Sequence, residues 1–341
     1  MDFKIDTKSS VPVYKQLIQA VQKAIDNGEI SDQEFLPSMN VLSETLDISK
    51  ETVKKAYSIL REQGYLESSH GKGFYVNKRY KHKLKVLVLF DMLSTYKLVL
   101  YRSFVETLDK GTEISILFHN QDIKIFRKQI EENLNTFDYY VVSPNFNMDG
   151  GIQKEVLQIL KKIPNRKLIL LDRLVSPLQG NFGAVYQDFE QDVYEGLSQG
   201  QKLIKKYKKI NILSTSGSLY AEFIIKGIKK FCNEHRIEHK QFKSIDTNEI
   251  NKEEVYIILN SQHDKELFDI LRTTKEKKLK LGKEIGVISY NESPINEFIL
   301  NGLTVLSTDF KEMGRIAGEM VKTGALSKVR NKFSLIIRKS L

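Results

Sequence analysis

The sequence of 341 residues lacks most features that mark secreted, membrane or metal-binding proteins. Its single cysteine, Cys232, excludes an intrachain disulfide and argues against a cysteine-based metal site. No apolar run approaches the roughly 18 residues that a membrane-spanning helix needs. Residues 1–10 also lack the basic-then-apolar pattern of a signal peptide. We therefore expect a cytoplasmic protein with no membrane partner.

Signatures of catalysis and of cofactor binding are also missing. The run Gly71-Lys72-Gly73 is too short for a phosphate-binding loop and does not connect a strand to a helix. His235 and His239 are four residues apart, but no glutamate is placed as in zinc proteases, and the stretch lies near a helix end. No Ser-His-Asp order stands out, and no period of about 20–50 residues repeats. The sequence therefore predicts no catalytic site, no metal and no cofactor.

Positive charge is concentrated in one short part of the chain. The formal net charge is +10. Residues 1–49 hold four lysines against eight acids, whereas residues 50–85 hold ten Lys/Arg against three acids. Such a segment is either a solvated basic face or a surface that displaces counterions from DNA phosphates.

The pattern before this segment predicts a helix-turn-helix unit. Residues 12–26 place apolar side chains at helical spacing, and Gly28 ends that helix. A second helix begins after Ser38, a natural N-cap, and directs Val41, Leu42 and Leu46 inward. Ser49 caps a third helix that runs from about Lys50 to Gly64. Two short helices joined by the turn at residues 47–49 are typical of DNA-binding proteins.

A hairpin is predicted directly after the third helix. Strand-like residues 65–68 and 74–76 flank the turn His70-Gly71-Lys72-Gly73, so a small, basic tip is expected. A helix-turn-helix followed by such a hairpin is a winged helix. In that fold the third helix enters the major groove.

At this point the chain resembles the GntR family of regulators. The similarity rests on five blocks in order: PVYKQL near residue 12, LPS at 36–38, ISKETVKKAY at 48–57, GYLE from residue 64 and GKGFYV from residue 71. The resemblance covers about residues 11–76 and implies that the start of the third helix and the wing tip contact DNA. The implied DNA-binding residues are Ser38, Asn40, Ser49, Lys50, Thr52, Lys54, Lys55, His70, Gly71 and Lys72.

The chain departs from that family in its basic residues. Asn40 stands where an arginine is usual, and Lys50 and Lys54 replace arginines of the recognition helix. Lysine lacks the bidentate fork that arginine offers to guanine, so the base preference of relatives does not carry over. Asn40 could read adenine or contact phosphate. A winged helix can also be a protein-interaction module without DNA contact.

The remaining chain alternates strands and helices. Continuous apolar runs alternating with amphipathic stretches indicate parallel sheets covered on both faces, with a ligand crevice beyond the carboxyl ends of the strands. The predicted helices include 156–163 and 222–232. The predicted strands are 86–90, 114–118, 139–143, 168–171, 210–214, 256–259 and 285–289.

This part of the chain resembles the LacI-type effector domain, which is similar to periplasmic sugar-binding proteins. The similarity rests on KLILLDR at 167–173, Asp188, EIGVISYNE at 284–292, LTVLSTDFKEMGRIA at 303–317 and IIRKS at 336–340. The combination with a GntR-type head resembles the arabinose repressors. The expected architecture is an α+β winged helix at 1–76, a linker at 77–84, and an α/β periplasmic-binding-protein-like domain of two doubly wound parallel-sheet lobes at 85–341.

Polar and aromatic side chains at the strand ends are the candidate effector ligands. Hydroxyl groups of a sugar pair with polar side chains, and its apolar face stacks on an aromatic ring. Each candidate could instead be a helix cap or part of an internal salt bridge. In the family a carboxylate commonly stands at the position of Asn291. The candidates are Asp91, Tyr96, Asn145, Asp172, Arg173, Ser216, Tyr220, Asp264, Asn291 and Glu292.

Together these features predict a transcriptional regulator, a repressor of carbohydrate utilisation that binds double-stranded operator DNA as a homodimer. A monosaccharide effector is what the resemblance implies, although a phosphosugar or a nucleoside also fits. Two alternatives stay open: a sugar-processing enzyme or kinase with an accessory winged helix, and a binding module without DNA function.

Overall fold

A computed structural model describes residues 3–6, 9, 11–77, 83–146, 151–214, 219–259 and 265–341. Contacts within the chain divide it into two compact units, Met1–Lys83 and Leu84–Leu341. Part of the predicted linker, residues 78–82, lies outside the described residues.

The described part of the first unit contains three helices and a two-stranded antiparallel hairpin. Ser38 and Ser49 cap the second and third helices, because their hydroxyls accept the backbone N–H of Val41 and Thr52 respectively. Both caps were predicted. The elements are α1 Val13–Asp26, α2 Met39–Leu46, α3 Lys50–Glu62, β1 Leu66–Ser69 and β2 Gly73–Val76.

One inward-facing residue was predicted wrongly in this unit. Leu42 is buried, but Val41 is 54% exposed. In a helix of eight residues, adjacent apolar positions point about 100° apart, so the stripe that includes Leu42 does not include Val41. Val53, Ala56 and Leu60 of α3 complete the buried side of the unit, as the helical spacing indicates.

The second unit consists of two lobes, each built on a six-stranded sheet. In the first lobe the strand order is β13-β7-β6-β5-β3-β4, and in the second it is β14-β12-β11-β10-β8-β9. All described strand pairs are parallel except β12 with β14. The strands are β3 Lys85–Phe90, β4 Glu113–Phe118, β5 Tyr139–Val142, β6 Leu168–Asp172, β7 Gly183–Tyr186, β8 Lys209–Leu213, β9 Glu238–Phe242, β10 Glu254–Ile258, β11 Ile285–Tyr290, β12 Thr304–Thr308, β13 Lys328–Arg330 and β14 Phe333–Ile336.

Helices cover both faces of each sheet, as continuous apolar strands require. Four short 3₁₀ helices complete the described elements, at Asn165–Lys167, Thr247–Glu249, Pro294–Glu297 and Ile299–Asn301. The α-helices are α4 Thr95–Thr107, α5 Ile123–Asn133, α6 Ile152–Leu160, α7 Phe189–Gln199, α8 Gln201–Ile204, α9 Ala221–His235, α10 Lys265–Glu276 and α11 Phe310–Thr323.

The chain crosses between the lobes three times. It passes from β7 to α7, from β12 to α11 and from β13 to β14. The buried side chain of Asn331 ties two crossings together, because its amide donates to Thr308 Oγ1 (2.8 Å) and to the Asp309 carbonyl (2.9 Å). The first crossing joins them through a bond from the Asn331 backbone N–H to the Tyr186 carbonyl. The crossings thus form one hydrogen-bonded hinge.

Within the part of the chain that the structure describes, the helices are all too short or too polar to cross a membrane.

Candidate nucleic-acid interface and ligand cleft

The amino-terminal turn of α3 presents an exposed, basic surface. Ser49, Lys50 and Lys54 are exposed. Ser49 Oγ lies 2.7 Å from Thr52 Oγ1 and also accepts the Thr52 N–H, so this turn is rigid. The amino-terminal end of the helix and the lysines together favour an anion.

The three lysines of α3 differ in their neighbours. Lys54 Nζ lies 3.7 Å from a Glu51 carboxylate oxygen, and both side chains are largely exposed. An exposed pair of this kind stabilises little, so Lys54 can exchange Glu51 for a phosphate. Lys55 Nζ lies 4.0 Å from the ring centroid of Tyr14 in α1. Lys55 therefore packs along α1, and Lys50 and Lys54 are the freer cations.

The hairpin tip is a second exposed surface of this unit. His70, Gly71 and Lys72 are all exposed. Gly71 has a φ of 73°, in the left-handed region that favours glycine, so the tight tip depends on this residue. Asn40 is exposed in the first turn of α2, after the capping residue Ser38. Every residue predicted to contact DNA is thus at least partly accessible, although Thr52 is only half-exposed.

A buried lysine organises the polar cluster at the strand ends of the first lobe. Lys97, in the first turn of α4, is 1% exposed. Its Nζ pairs with Asp172 Oδ2 and lies 3.2 Å from Asp91 Oδ1 and 3.0 Å from Ser143 Oγ. Burial alone lowers the pKa of this amine, but the carboxylates of Asp172 and Asp91 outweigh burial and raise the pKa above its usual value. Lys97 is therefore a permanent cation.

The cluster continues across to the second lobe. Asn145 donates to Asp172 Oδ2 (3.1 Å) and accepts the Tyr220 hydroxyl through Oδ1 (2.6 Å). Burial raises the pKa of the Tyr220 phenol well above its usual value, so the group stays protonated and donates. The Tyr220 ring stacks on Phe189 at 4.1 Å, and the Arg173 guanidinium lies 5.7 Å from its centroid. This chain of contacts joins the facing edges of the two lobes.

Asp172 and Asn291 lie at equivalent strand ends of the two lobes, and Tyr96 lies in the helix that follows β3. Asp172 ends β6, and Asn291 follows β11, the third strand in the order of its own sheet. Tyr96 stacks on Phe310 at 4.7 Å between ring centroids, so its ring covers the start of α11. Tyr96, Asp172 and Asn291 thus sit at the carboxyl edges where parallel sheets bind ligands.

Glu292 is paired within its own lobe. Glu292 forms an ion pair with Arg338 at 2.8 Å, and its backbone N–H donates to Ser307 Oγ. An internal salt bridge is one of the two alternatives that the sequence left open for each candidate. Ser216 and Asp264 lie outside the described residues.

Sequence reasoning missed several members of the cluster. Lys97 carries no motif, because a lysine in a helix is usually solvated. The sequence signal for Lys97 was its position in the first turn of the helix that follows β3. Ser143, Gln187 and Phe189 were also missed; Gln187 donates to Asp172 Oδ1 at 3.3 Å.

No group of three or more histidine, cysteine or acidic side chains suited to a metal ion occurs among the described residues. His235 is the last residue of α9, and its ring nitrogen Nδ1 lies 3.1 Å from the side-chain amide nitrogen of Gln201. His239 lies in β9. The two histidines therefore do not share one helix face.

Comparisons with known proteins agree with this architecture at both ends of the chain. Residues 13–76 match the model of bacterial regulatory proteins of the gntR family. The repressor YtrA of Bacillus subtilis is 33% identical over 81 residues, which cover 24% of this chain and 62% of YtrA. The regulator TreR of the same organism is 28% identical over 144 residues, or 41% of this chain and 54% of TreR. The chain thus spans less than two thirds of these relatives.

Solved structures resemble the larger part of the chain. The lac repressor dimer bound to operator superposes with a TM-score of 0.59 at 17% identity, covering 76% of this chain and 94% of that one. The Escherichia coli repressor ascG gives a TM-score of 0.60 at 19% identity, covering 75% and 98%. At these identities the likeness establishes the fold alone.

The fold and the comparisons together define the class of the molecule. It is a helix-turn-helix protein in which a winged head precedes two parallel-sheet α/β lobes with the fold seen in the lac repressor and ascG. Its head is a GntR-type domain, and its curated relatives are helix-turn-helix transcriptional regulators.

Proposed function

We propose that this protein is a transcriptional repressor of carbohydrate utilisation, and that a small sugar bound between its lobes controls its affinity for operator DNA. The observation that carries the proposal is the buried network from Lys97 through Asp172 and Asn145 to Tyr220. This network links the two lobes of a chain that also bears a winged helix.

The head supports binding to double-stranded DNA. Lys50 and Lys54 are exposed in the first turns of α3, and Lys72 is exposed at the wing. In a winged helix these places face the major groove and the backbone or minor groove. Each lysine at a phosphate releases condensed counterions, which favours binding at low salt. The hydroxyls of Ser49 and Thr52 are paired with each other, so the lysines supply most of the affinity.

The cleft supports a ligand rich in hydroxyl groups. Asp91 and Asp172 offer carboxylate oxygens, which make charge-assisted hydrogen bonds with hydroxyls. The rings of Tyr96, Phe189 and Tyr220 provide flat apolar surfaces for a sugar ring. A ligand that bridges Asp172 and the second lobe competes with the Tyr220–Asn145 bond. Binding is thereby coupled to the angle between the lobes.

Apolar residues left exposed on the second lobe support a homodimer. Phe268 of α10 is 61% exposed, Ile295 of the 3₁₀ helix Pro294–Glu297 is 56% exposed, and Phe298, directly after that helix, is 77% exposed. Large exposed apolar side chains in one region mark contact surfaces. A two-fold dimer places two heads on the half-sites of a near-palindrome. The effector can shift operator affinity only by its differential affinity for the two states of the dimer.

A gel shift with the DNA upstream of the protein's own gene, with and without a panel of sugars, tests the proposal. We expect specific binding that one sugar reduces at least ten-fold. No specific binding under any condition would exclude the regulator. Turnover of a sugar in the presence of ATP would support instead the enzyme or kinase with an accessory winged helix.

A further inference from the structure

The buried cluster of the first lobe carries its own counter-charges. Two carboxylates, Asp91 and Asp172, contact the Lys97 ammonium. A second cation, Arg173, is connected to Asp172 through the Tyr220 ring and Asn145. The formal charges of these four described side chains cancel. Asp91, Lys97 and Asp172 are at most 4% exposed, so solvent and salt screen their charges weakly.

The ammonium of Lys97 faces three oxygen atoms of the protein and hydrogen-bonds two of them, Asp172 Oδ2 and Ser143 Oγ. An ammonium has three hydrogens, and three oxygen atoms surround this one, from Asp172, Asp91 and Ser143. Asp172 Oδ1 accepts only the long bond from Gln187 (3.3 Å) in the described structure, and Asp91 Oδ1 makes an ion pair but no hydrogen bond there. Among the carboxylate oxygens, acceptor capacity therefore remains on Asp172 Oδ1, which can accept a hydroxyl donor.

From this charge balance we propose that the effector is an uncharged sugar, without phosphate, carboxylate or amine, and that Lys97 is the residue that enforces this selection. The inference rests on the proposed function, because it concerns the ligand of that same cleft. A phosphate placed here meets two buried carboxylates, the Lys97 ammonium is already paired with them, and the remaining cation, Arg173, lies against the Tyr220 ring of the other lobe. An amine competes with Lys97 for the same carboxylates. Uncharged hydroxyls leave every charge pair intact.

Matched sets of one sugar ring in three forms test this inference on the full chain. Glucose, galactose and mannose are each compared with the 6-phosphate and the 2-amino derivative, together with uncharged pentoses and deoxyhexoses, by thermal shift and titration calorimetry. We expect a neutral sugar to bind. The 6-phosphate and 2-amino derivatives of that sugar, where the panel contains them, should bind at least ten-fold more weakly.

Two variants shift the charge balance in opposite directions. Asp91→Asn is isosteric, leaves Lys97 paired with Asp172 and makes the cluster positive, so the phosphorylated form should gain at least ten-fold relative to the neutral sugar. Arg173→Met removes a half-exposed cation and makes the cluster negative, so the amino form should gain. Both substitutions spare the buried lysine, and circular dichroism checks that each variant is folded.

The outcomes separate the two proposals. A charged sugar that binds the wild-type protein as tightly as its neutral form, or unchanged selectivity in both variants, overturns the inference about charge and leaves the sugar-controlled regulator standing. Absence of binding by every sugar in the panel overturns the sugar effector, and with it this inference, while specific DNA binding remains a separate result.

Discussion

Asp172 and Asn291 share an unusual backbone conformation at corresponding places in the two lobes. Each lies at the carboxyl end of the third strand of its sheet, and each has a φ of 67°. Aspartate and asparagine tolerate this left-handed region better than other residues with a β-carbon. The two lobes therefore hold a carboxylate and an amide at matched positions with a left-handed backbone. Such strain is often retained where a side chain must be aimed at a ligand.

Two substitutions at Asn291 separate the backbone from the side chain. Asn291→Gly relieves the left-handed strain and should leave thermal stability nearly unchanged, whereas the β-branched Asn291→Val should cost about 1–3 kcal/mol. Both should abolish the effector response if the amide binds the ligand. Thermal melts and sugar titrations of both variants measure this. A normal response in Asn291→Gly would remove Asn291 from the binding site.

Salt-dependent DNA binding tests the lysines of α3. Lys50→Ala and Lys54→Ala should each weaken binding to operator. Each should also reduce the slope of log affinity against log salt by about 0.9, since one phosphate contact is lost. Lys128→Ala in α5, where the side chain is 72% exposed, removes the same charge from the other unit and should leave the slope unchanged. An unaltered slope in both α3 variants would favour the protein-interaction alternative.

Neighbouring apolar residues in α2 provide a matched test of the core of the head. Leu42→Ala should cost about 2–5 kcal/mol, because it opens a cavity at a buried site. Val41→Ala, at the exposed position beside it, should change stability by less than about 0.5 kcal/mol. Hydrogen exchange of residues 13–76 in the full chain reports both values. Equal effects would mean that Val41 is covered in solution.

Acid should destabilise the first lobe through His119. Its ring is buried, its Nε2 lies 3.0 Å from the Ser143 carbonyl, and its Nδ1 accepts the Gln121 N–H. These partners suit the neutral ring, and burial lowers the pKa below its usual value. The unfolded chain therefore binds the proton first, so this contribution to stability is present at neutral pH and is lost as the pH falls below about 6.5.

Melting temperatures between pH 7.5 and 5.5 measure this effect. The His119→Gln variant keeps a donor for Ser143 but does not titrate, so its stability should depend less on pH than that of the wild type. The wild type should lose up to about 1.4 kcal/mol more per pH unit. His70→Gln at the exposed wing should retain the wild-type pH dependence. Parallel curves for His119→Gln and the wild type would contradict the assignment.

A glycine controls the close packing of α4 against α11. A β-carbon at Gly314 would lie 2.1 Å from the Leu100 carbonyl oxygen. Alanine gains about 1 kcal/mol of helix propensity over glycine, but the backbone cannot yield without separating the helices. Gly314→Ala should therefore lower the free energy of unfolding by about 1–3 kcal/mol in denaturant titrations. Lys311→Ala, exposed on the same helix, should be nearly neutral, and a stabilised Gly314→Ala would show that the helices are free to move apart.

Local signals in the chain were sufficient for the head and for most central strands. Ser38 and Ser49 were predicted as caps because capping depends on a side chain and the next three residues. Six of the eight inner strands of the two described sheets were predicted because burial on both faces leaves continuous apolar runs. The inner strands β7 and β12 were missed, because GAVY is short and TVLST is interrupted by polar residues. The edge strand β9, with the sequence EHKQF, was missed because one partner strand and wide exposure impose no apolar pattern.

The cleft could be predicted only in part, since its members come from distant parts of the chain. Strand ends identified Asp91, Asn145 and Asp172, because parallel strands bring their carboxyl ends to one edge. No local pattern distinguishes Lys97 from the exposed lysines of other helices. Its burial follows from packing that sets Asp91 and Asp172, 81 residues apart in the numbering, on either side of one amine. Helix caps and apolar strands are determined by residues that are neighbours along the chain. The pairing of buried Lys97 with two carboxylates forms only when separate strands meet, because Coulomb energy depends on distance in space.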